Sequence, residues 1–512
     1  MVSSIGAIGL GTLASRVLGY ARDIVVARAF GANPVTDAFF VAFRIPNLLR
    51  RLLAEGALST GIVPVFSATL RTGGPVALGR TVQAVVGAGL VVLCAVCALG
   101  ITLAPWIVRI LAPGWHADAA RFELAVMLTR VMFPYLLLVG LAALAVGVLN
   151  AHHRFFTPSL APAVQNVAMI AAVLGLSGYL TPPILSLAIG VVVGGLGQLI
   201  FQLPQVRQMG VPLWPRLEWS HPAIREIARR LWPAAFGLAG VQITVMVNTL
   251  LASLLPAGSV SYLYYADRVM EFPLGVFGVA VATATLPSMA AQAAGRDHVA
   301  LRATVGFSLR IGAFVSVPAA VGLIALAGPI VRLLFQRGEF GAADSLFTAQ
   351  ALVGYAIGLP AFTAVRIAAQ TFYALGDVRT PVYVGFVAVA ANIVFAVTLM
   401  WPLHHVGLAL ASSLSSYVNL VALCVILHRR FGLLSHPGLG LSLARTVGAS
   451  SVLLLWGVWL ARWLVGARGG ATLVALASGV LVYIAAAALF RAPELGALLG
   501  MLRRRERRLP SG

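Results

Sequence analysis

Lysine is absent from this chain of 512 residues; its 36 basic side chains are all arginine, and only 15 acids stand against them. Carboxylates this scarce form no paired motif in a loop that could hold a catalytic metal, and no nucleophile stands beside a base. Only three cysteines occur, Cys94, Cys97 and Cys424, all within apolar stretches. They cannot build a disulfide framework, and although the first two read C-x-x-C, no second pair or nearby His completes a metal site. They are expected to be buried packing residues. Charged residues make up 10% of the chain, and no hydrophilic stretch is long enough for a soluble domain. Despite a net charge of +21, nucleic acid is therefore not an expected partner, because nothing could present a duplex-reading surface. No loop is large enough for a nucleotide-sugar site, so an enzyme is not expected either. No basic residue precedes Arg16 in the first apolar run, which reads as a retained span and not a cleaved signal peptide.

What fills the chain instead is hydrocarbon. Hydrophobic residues are 60% of it, against roughly 45 to 50% in globular proteins, which makes an all-α polytopic membrane protein. Apolar runs of about 20 residues or more, the length that spans a bilayer, lie near 3–29, 37–70, 81–111, 122–149, 158–180, 183–206, 224–254, 258–292, 301–335, 343–375, 379–401, 405–428, 441–465 and 470–490. Fourteen transmembrane helices are predicted. Interior prolines, among them Pro46, Pro64, Pro273, Pro287 and Pro360, predict bent or broken helices. Arginines recur in alternate loops, from Arg71 and Arg80 through Arg207 to Arg230 and on to the basic tail Arg503–Arg508, and the loops between are poor in them. By the positive-inside rule both termini are cytoplasmic, which an even number of spans requires.

The chain also repeats itself. Ala104–Arg109 (APWIVR) matches Ala327–Arg332 (AGPIVR) at an offset of 332 − 109 = 223, Thr157-Pro158 matches Thr380-Pro381, and Pro64 matches Pro287 at that same offset. Arg44 and Arg268 align with one residue of slip. Six predicted spans fill that offset, so the second unit enters with the orientation of the first. Two parallel six-helix repeats with two C-terminal helices follow: an N-lobe over 1–210, a C-lobe over 211–432 and a terminal pair with a basic cytoplasmic tail over 433–512.

Two such lobes are the expected frame of an alternating-access carrier with its substrate between them near the midplane. Charges fall where that frame needs them. Arg16 and Arg22 lie in the first run, Arg44 and Arg50 in the second, and each costs about 2.5 to 3.5 kcal/mol at the centre of an inserting helix. Arginines persist there when they line a wet cavity and meet an anion. Arg16, Arg22, Arg50 and Arg268 are the candidate binding residues, since nearby acids are outnumbered. Asp37, Arg44 and Arg51 recur every seven residues and share a helix face, and Asp37 and Glu55 are read as orienting the arginines. Asn47, Ser261, Asp267 and Glu271 complete the supporting candidates, with Glu271 three residues from Arg268 and able to pair with it. Tyr262, Tyr264 and Tyr265 could stack on a ligand or form an interfacial belt. Single charges on other spans, such as Arg310, are expected to be paired or interfacial.

The segments Ser15–Asp23 (SRVLGYARD), Thr36–Arg51 (TDAFFVAFRIPNLLRR), Ala54–Ser59 (AEGALS) and Tyr264–Pro273 (YYADRVMEFP) closely resemble the MurJ (MviN) lipid II flippases of the MOP exporter superfamily, and similarity runs over nearly the whole chain. The resemblance implies fourteen helices in two lobes and export of lipid II, the polyprenyl-diphosphate disaccharide-peptide, to the outer leaflet of the bacterial inner membrane. It implies essential cavity arginines at Arg16, Arg22, Arg50 and Arg268, an essential acid at Asp37, and a groove for the polyprenyl tail on helices thirteen and fourteen. Some members bind sodium through carboxylates on the seventh, eleventh and twelfth helices; those spans hold no interior Asp or Glu here, which leaves sodium coupling open. The long cytoplasmic regulatory domain that some relatives carry is not expected in this chain. The expected partners are lipid II and membrane lipids, the expected state is a monomer, no cofactor is needed, and the membrane potential is the expected driving force. A multidrug antiporter would want a cavity richer in carboxylates, and an exporter of another polyprenyl-linked oligosaccharide would share the anion chemistry.

Overall fold

Several apolar runs exceed the roughly 30 Å of hydrocarbon that one straight helix must cross, and the backbone breaks them where proline or an unusual φ intervenes. The computed structural model describes residues 2–51, 61–212, 214–275, 279–432, 438–464 and 469–497, and among these there is no strand. The helices are α1 (Val2–Phe30), α2 (Pro34–Arg51), α3 (Val63–Thr102), α4 (Ala104–Leu111), α5 (Ala119–Met132), α6 (Pro134–Ala151), α7 (Phe156–Leu176), α8 (Leu185–Gln208) and α9 (Pro222–Ser253). They continue as α10 (Ser259–Pro273), α11 (Val279–Ala294), α12 (His298–Ala325), α13 (Ala327–Phe335), α14 (Ala342–Ala356), α15 (Leu359–Ala374), α16 (Arg379–Phe431), α17 (Leu439–Trp463) and α18 (Gly469–Leu489).

Each of the fourteen apolar runs carries helix. Among the described residues, eight helical stretches are long and apolar enough to cross a bilayer, or nine if α14 and α15, bent by 40°, count as one broken span. The protein is thus a multi-pass, all-helical membrane protein. Breaks fall inside runs that read as continuous. A single residue, Leu103, separates α3 from α4 ahead of Pro105, and Leu326 separates α12 from α13 in the same way, so the matched APWIVR and AGPIVR segments both open short helices. Thr157-Pro158 and Thr380-Pro381 both lie in the first turn of a helix, whereas Pro64 starts α3 and Pro287 sits inside α11.

Helix α16 runs for 53 residues, which as one rod would be about 80 Å long. It is a hairpin. His404 has φ 49° and ψ −132°, and a Cβ on Gly407 would lie 2.2 Å from the Leu399 carbonyl oxygen. Residues eight apart in a continuous helix are about 12 Å apart along the axis, so only a chain folded back on itself brings these two together. Asp377 starts the hairpin by accepting from Thr380 N at 2.9 Å and from Thr380 Oγ1 at 2.6 Å, and these bonds, the hydroxyl first, hold its carboxyl below the usual carboxylate range. Asp118 and Asp297 cap α5 and α12 through Arg121 N and Ala300 N.

Two compact units result, Met1–Ser261 with Arg337–Gly341, and Tyr262–Gln336 with Ala342–Gly512. In the first, α7 packs between α1 and α8, α6 between α3 and α8, and α2 lies on α5. An apolar core of Phe66, Leu78, Val82, Val148, Leu149 and Val206 fills it. Helix α9, which the sequence assigns to the second lobe, packs here instead: Ile227 joins that core, and the linker ahead of it is pinned by Arg216 N donating to Gln83 O at 3.1 Å. The strap Arg337–Gly341 belongs to this unit because Glu339 N bonds Arg28 O at 3.0 Å where Gly31 (φ +66°) and Gly338 (φ +57°) let the backbones meet. In the second unit α12 is central, packed by α11, α15 and α17, with α18 beside α17.

Candidate functional site

Helix α1 carries two of the predicted arginines into different surroundings. Arg16 is exposed and has no hydrogen bond or ion pair among the described residues. Arg22, its side chain 12% exposed, is held on three sides: Nε and Nη2 donate to Asp23 Oδ1 at 3.0 and 2.7 Å, and Nη1 donates to Asn166 Oδ1 at 3.1 Å. Asn166 in turn donates to Ser15 O at 3.1 Å. The acids here are outnumbered, as expected, but Arg22 has one of them, its sequence neighbour Asp23, as its mate.

Helix α2 is bounded at its start by Asn33, whose side chain accepts from Val35 N and Thr36 N, and carries Arg44, Asn47, Arg50 and Arg51 on its later turns, all half-buried. Arg50 Nε donates to Asn47 Oδ1 at 3.1 Å and has no carboxylate partner among the described residues. Tyr135 is fully buried and donates to Gln165 Oε1 at 3.2 Å, which also accepts from Gln198 Nε2 at 2.7 Å. This polar chain across α6, α7 and α8 was not found from sequence. Two amides, Gln165 and Asn166, stand side by side in the apolar run of α7, and that adjacency was the available signal.

Asp37 has no exposed surface. It pairs with Arg121 of α5 and accepts from Gly258 N at 2.7 Å, Ser261 N at 2.8 Å and Ser261 Oγ at 2.6 Å. The four donors consume its acceptor capacity, so Asp37 orients none of Arg16, Arg22, Arg44, Arg50 or Arg51; the shared face with Arg44 and Arg51 is not a bonded one. The reason is position: Asp37 lies in the first turn of α2 against the first turn of α10, whose free N–H groups and positive dipole end favour an anion. Ser261, predicted as cavity-lining, is likewise fully buried in this knot. Arg121 was missed, since it follows a loop at the head of a span and reads as an interfacial charge. Its guanidinium also lies 4.1 Å over the Trp115 ring. Glu55 lies outside the described residues.

In the second unit Arg268 of α10 is 31% exposed and forms the predicted pair with Glu271, Nη1 to Oε2 at 2.9 Å. The Tyr264 hydroxyl accepts from its Nε and Nη2 at 3.3 Å, and its guanidinium lies 5.2 Å from the Tyr264 ring. Asp267, beside it, is half-buried. The tyrosine trio is not an interfacial belt: Tyr262 packs on Phe347 and His405 with ring centroids 5.3 Å away, Tyr265 is fully buried on Phe335, and Tyr264 meets Arg268. On a helix that turns 100° per residue, Tyr262 and Tyr265 share a face and Tyr264 lies off it, so the three do not form one exposed stripe. Among the described residues no three His, Cys, Asp or Glu side chains converge to hold a metal ion.

Comparison with known proteins bears on what such a site could serve. The family described as "Lipid II flippase MurJ" matches residues 26–469. The chain is 38% identical over 425 residues to a probable lipid II flippase MurJ from Vibrio cholerae, covering 81% of each. It is 38% identical over 450 residues to the lipid II flippase MurJ of Burkholderia cenocepacia, covering 86% of each. A probable lipid II flippase MurJ from Rhizobium tropici is 34% identical over 511 residues, 98% of this chain and 96% of that one. Among solved structures, a lipid II flippase MurJ in an inward closed conformation aligns with TM-score 0.78 and 24% identity over 94% of this chain and 98% of its own. An inward-facing multidrug resistance MATE family transporter of the MOP superfamily aligns with TM-score 0.63 and 16% identity, over 85% and 94%. At these identities the structural likenesses speak for the fold alone.

Proposed function

The chain belongs to the MurJ family of lipid II flippases, and from that premise we propose that it carries lipid II, the undecaprenyl-diphosphate-linked peptidoglycan precursor, from the cytoplasmic to the outer leaflet of a bacterial cytoplasmic membrane. The observation that carries the reading beyond family membership is that Arg16 and Arg50, on the first two helices of an apolar chain, have no carboxylate partner among the described residues. A cation left so in a membrane protein marks the path of an anion. A diphosphate suits a guanidinium, which can grip it through two charge-assisted bonds. Arg22 and Arg268 are proposed to join them, each aimed by an acid, Asp23 and Glu271. Transport needs no covalent step and no cofactor: the polar head crosses in a hydrated cleft while the polyprenyl chain stays in lipid. In this reading fourteen spans form two parallel repeats that alternate access, α17 and α18 hold the tail, both termini are cytoplasmic and the carrier is a monomer.

The test is genetic. In a bacterium depleted of its own lipid II exporter, wild-type chain is expected to restore growth and the appearance of lipid II in the outer leaflet. Failure to do so at normal expression would turn the reading toward another polyprenyl-linked oligosaccharide. A second expectation concerns driving force. The interior-negative potential favours outward movement of an anion by about 2.3 kcal/mol per charge per 100 mV, and draws an emptied cationic site back inward. Dissipating the potential in vesicles is expected to slow turnover by up to about fiftyfold per uncompensated charge at 100 mV; replacing sodium with another cation at fixed potential shows whether sodium contributes. An unchanged rate without potential excludes voltage as the driving force.

A further inference from the structure

Beyond the residues that the family comparison matches, 26–469, the chain turns back on itself after α18. Arg491 adopts φ +52°, its N–H reaches Ala488 O at 3.0 Å, and Ala492 N reaches Ala487 O at 2.9 Å, which closes the helix end. Arg445 of α17 holds the turn by donating from Nη1 to Arg491 O at 3.2 Å. Three residues on, Glu494 is driven inward until it is 3% exposed. Ser442 Oγ of α17 donates to its Oε1 at 2.8 Å, and Arg310 Nε of α12 stands 3.8 Å from the same oxygen. Among the described residues its other oxygen, Oε2, has no hydrogen-bond partner, and neither has Arg310 Nε.

Three polar links stitch α17 and α18 to their neighbours on α12 and α13. Arg332 Nη2 donates to Leu464 O at 3.4 Å near one end. In the middle the Tyr483 hydroxyl donates to Phe314 O at 2.7 Å. That carbonyl needs an outside donor because Pro318, four residues later in α12, has no N–H to give it. The third link, Glu494 with Ser442 and Arg310, is the only one of the three with two full charges, and it is half made. As an anchor alone it is poorly chosen, because a buried ion pair is seldom more stabilising than a neutral pair of the same shape. Ser442 would bond an amide equally well.

We propose that Glu494 is a positioning residue for transport: its ionised carboxylate, set by Ser442 and opposed by Arg310, fixes the α17–α18 pair on α12 in a contact that can open and re-form during the cycle. Glu494 touches no substrate, and its charge acts through Arg310. The groups facing it are Arg310 from α12, Ser442 from α17 and Tyr483 from α18, with Arg445 committed to the Arg491 carbonyl. The inference rests on the transport reading above.

In vesicles containing wild-type chain and lipid II, the maximal rate and the half-saturating lipid II concentration are measured alongside thermal unfolding. Glu494→Gln keeps the Ser442 bond and the shape, and is expected to melt with wild type and keep the half-saturating concentration, while the maximal rate falls by about tenfold, the scale of one charge-assisted contact. Glu494→Asp is expected to recover part of the rate, and the exchange Arg310→Glu with Glu494→Arg to recover more than either change alone. A Glu494→Gln chain that transports at the wild-type rate, or one that loses rate only in step with melting temperature, overturns the proposal. Absence of transport by wild type itself would sink the flippase reading, not this one, for which cross-linking of Arg310→Cys to Glu494→Cys, which ties the pair to α12, then reports directly: a linker that blocks no conformational change detected by proteolysis overturns it, and one that arrests such a change supports it.

Discussion

Arg50→Ala and Arg16→Ala chains, present in the membrane at wild-type level, are expected to leave exporter-depleted cells without growth. Each removes a charge-assisted contact of about 1.5 to 3 kcal/mol to the diphosphate, or roughly ten- to 150-fold in rate or affinity, and neither strands a carboxylate among the described residues. Among the described residues Arg50 gives up only its bond to Asn47, and Arg16 gives up none. Arg22→Ala and Arg268→Ala are expected to fail as well, for a mixed reason. Asp23, whose side chain is 4% exposed, would lose the Arg22 guanidinium while staying buried, so part of the Arg22 loss is lost folding. Glu271 is 41% exposed and would be rehydrated, but it would then present bare negative charge where an anion must bind. Lysine at position 50 is expected to rescue poorly, since an ammonium lacks the planar fork that grips two oxygens. Growth counts after depletion, with membrane abundance measured in the same cells, decide the matter. Normal rescue by all four alanine chains would show that no arginine clamp exists.

Most of the helical layout was legible in the sequence because a bilayer reads hydropathy directly: each apolar run became helix. What the runs concealed were their breaks. Leu103, Phe133 and Leu326 interrupt helices without altering hydropathy, and the prolines responsible, Pro105, Pro134 and Pro329, look no different from those tolerated at Pro46 and Pro287. A proline in the first turn of a new helix is satisfied, while one further in is bent around, and only the partner surface decides which. The unit boundary was similarly hidden. Sequence symmetry puts it near residue 210, yet α9 packs with the first unit because Ile227 and Arg216 find their partners on α3. Of the charges, Arg268 with Glu271 was readable from a spacing of three on one helix. Arg22 with Asp23 was overlooked because adjacent residues on a helix point 100° apart, and it takes the long arginine side chain to fold back onto its neighbour.

Arg121 was the least legible residue and carries the second large expectation: Arg121→Met is expected to lower stability by about 3 to 5 kcal/mol, the usual consequence of removing one partner from a buried ion pair. Nothing local marks Arg121, because its partner Asp37 lies 84 positions earlier in the chain. The loss should be large because water cannot compensate it. Asp37 has no exposed surface, Arg121 is 8% exposed, and the Trp115 ring covers the guanidinium. The three donors from Gly258 and Ser261 would remain, but none of them carries a charge to replace that of Arg121. Asp37→Asn alone should also be costly, since its amide would turn a donor toward partners of which only the Ser261 hydroxyl can accept. The double change Asp37→Asn with Arg121→Met should cost less than the sum of the two, because it buries no lone charge. Trp115→Leu should be milder, about 2 kcal/mol or less for a desolvated cation–π contact with its ring packing partly kept. Thermal melting of the purified chain in one detergent, with all four variants side by side, measures each. Additive losses, or an Arg121→Met chain that melts with wild type, would mean that Asp37 and the start of α10 are held by packing and not by this buried pair. A coupled loss would identify Arg121 as the charge that lets an aspartate sit in a dry junction of three helices.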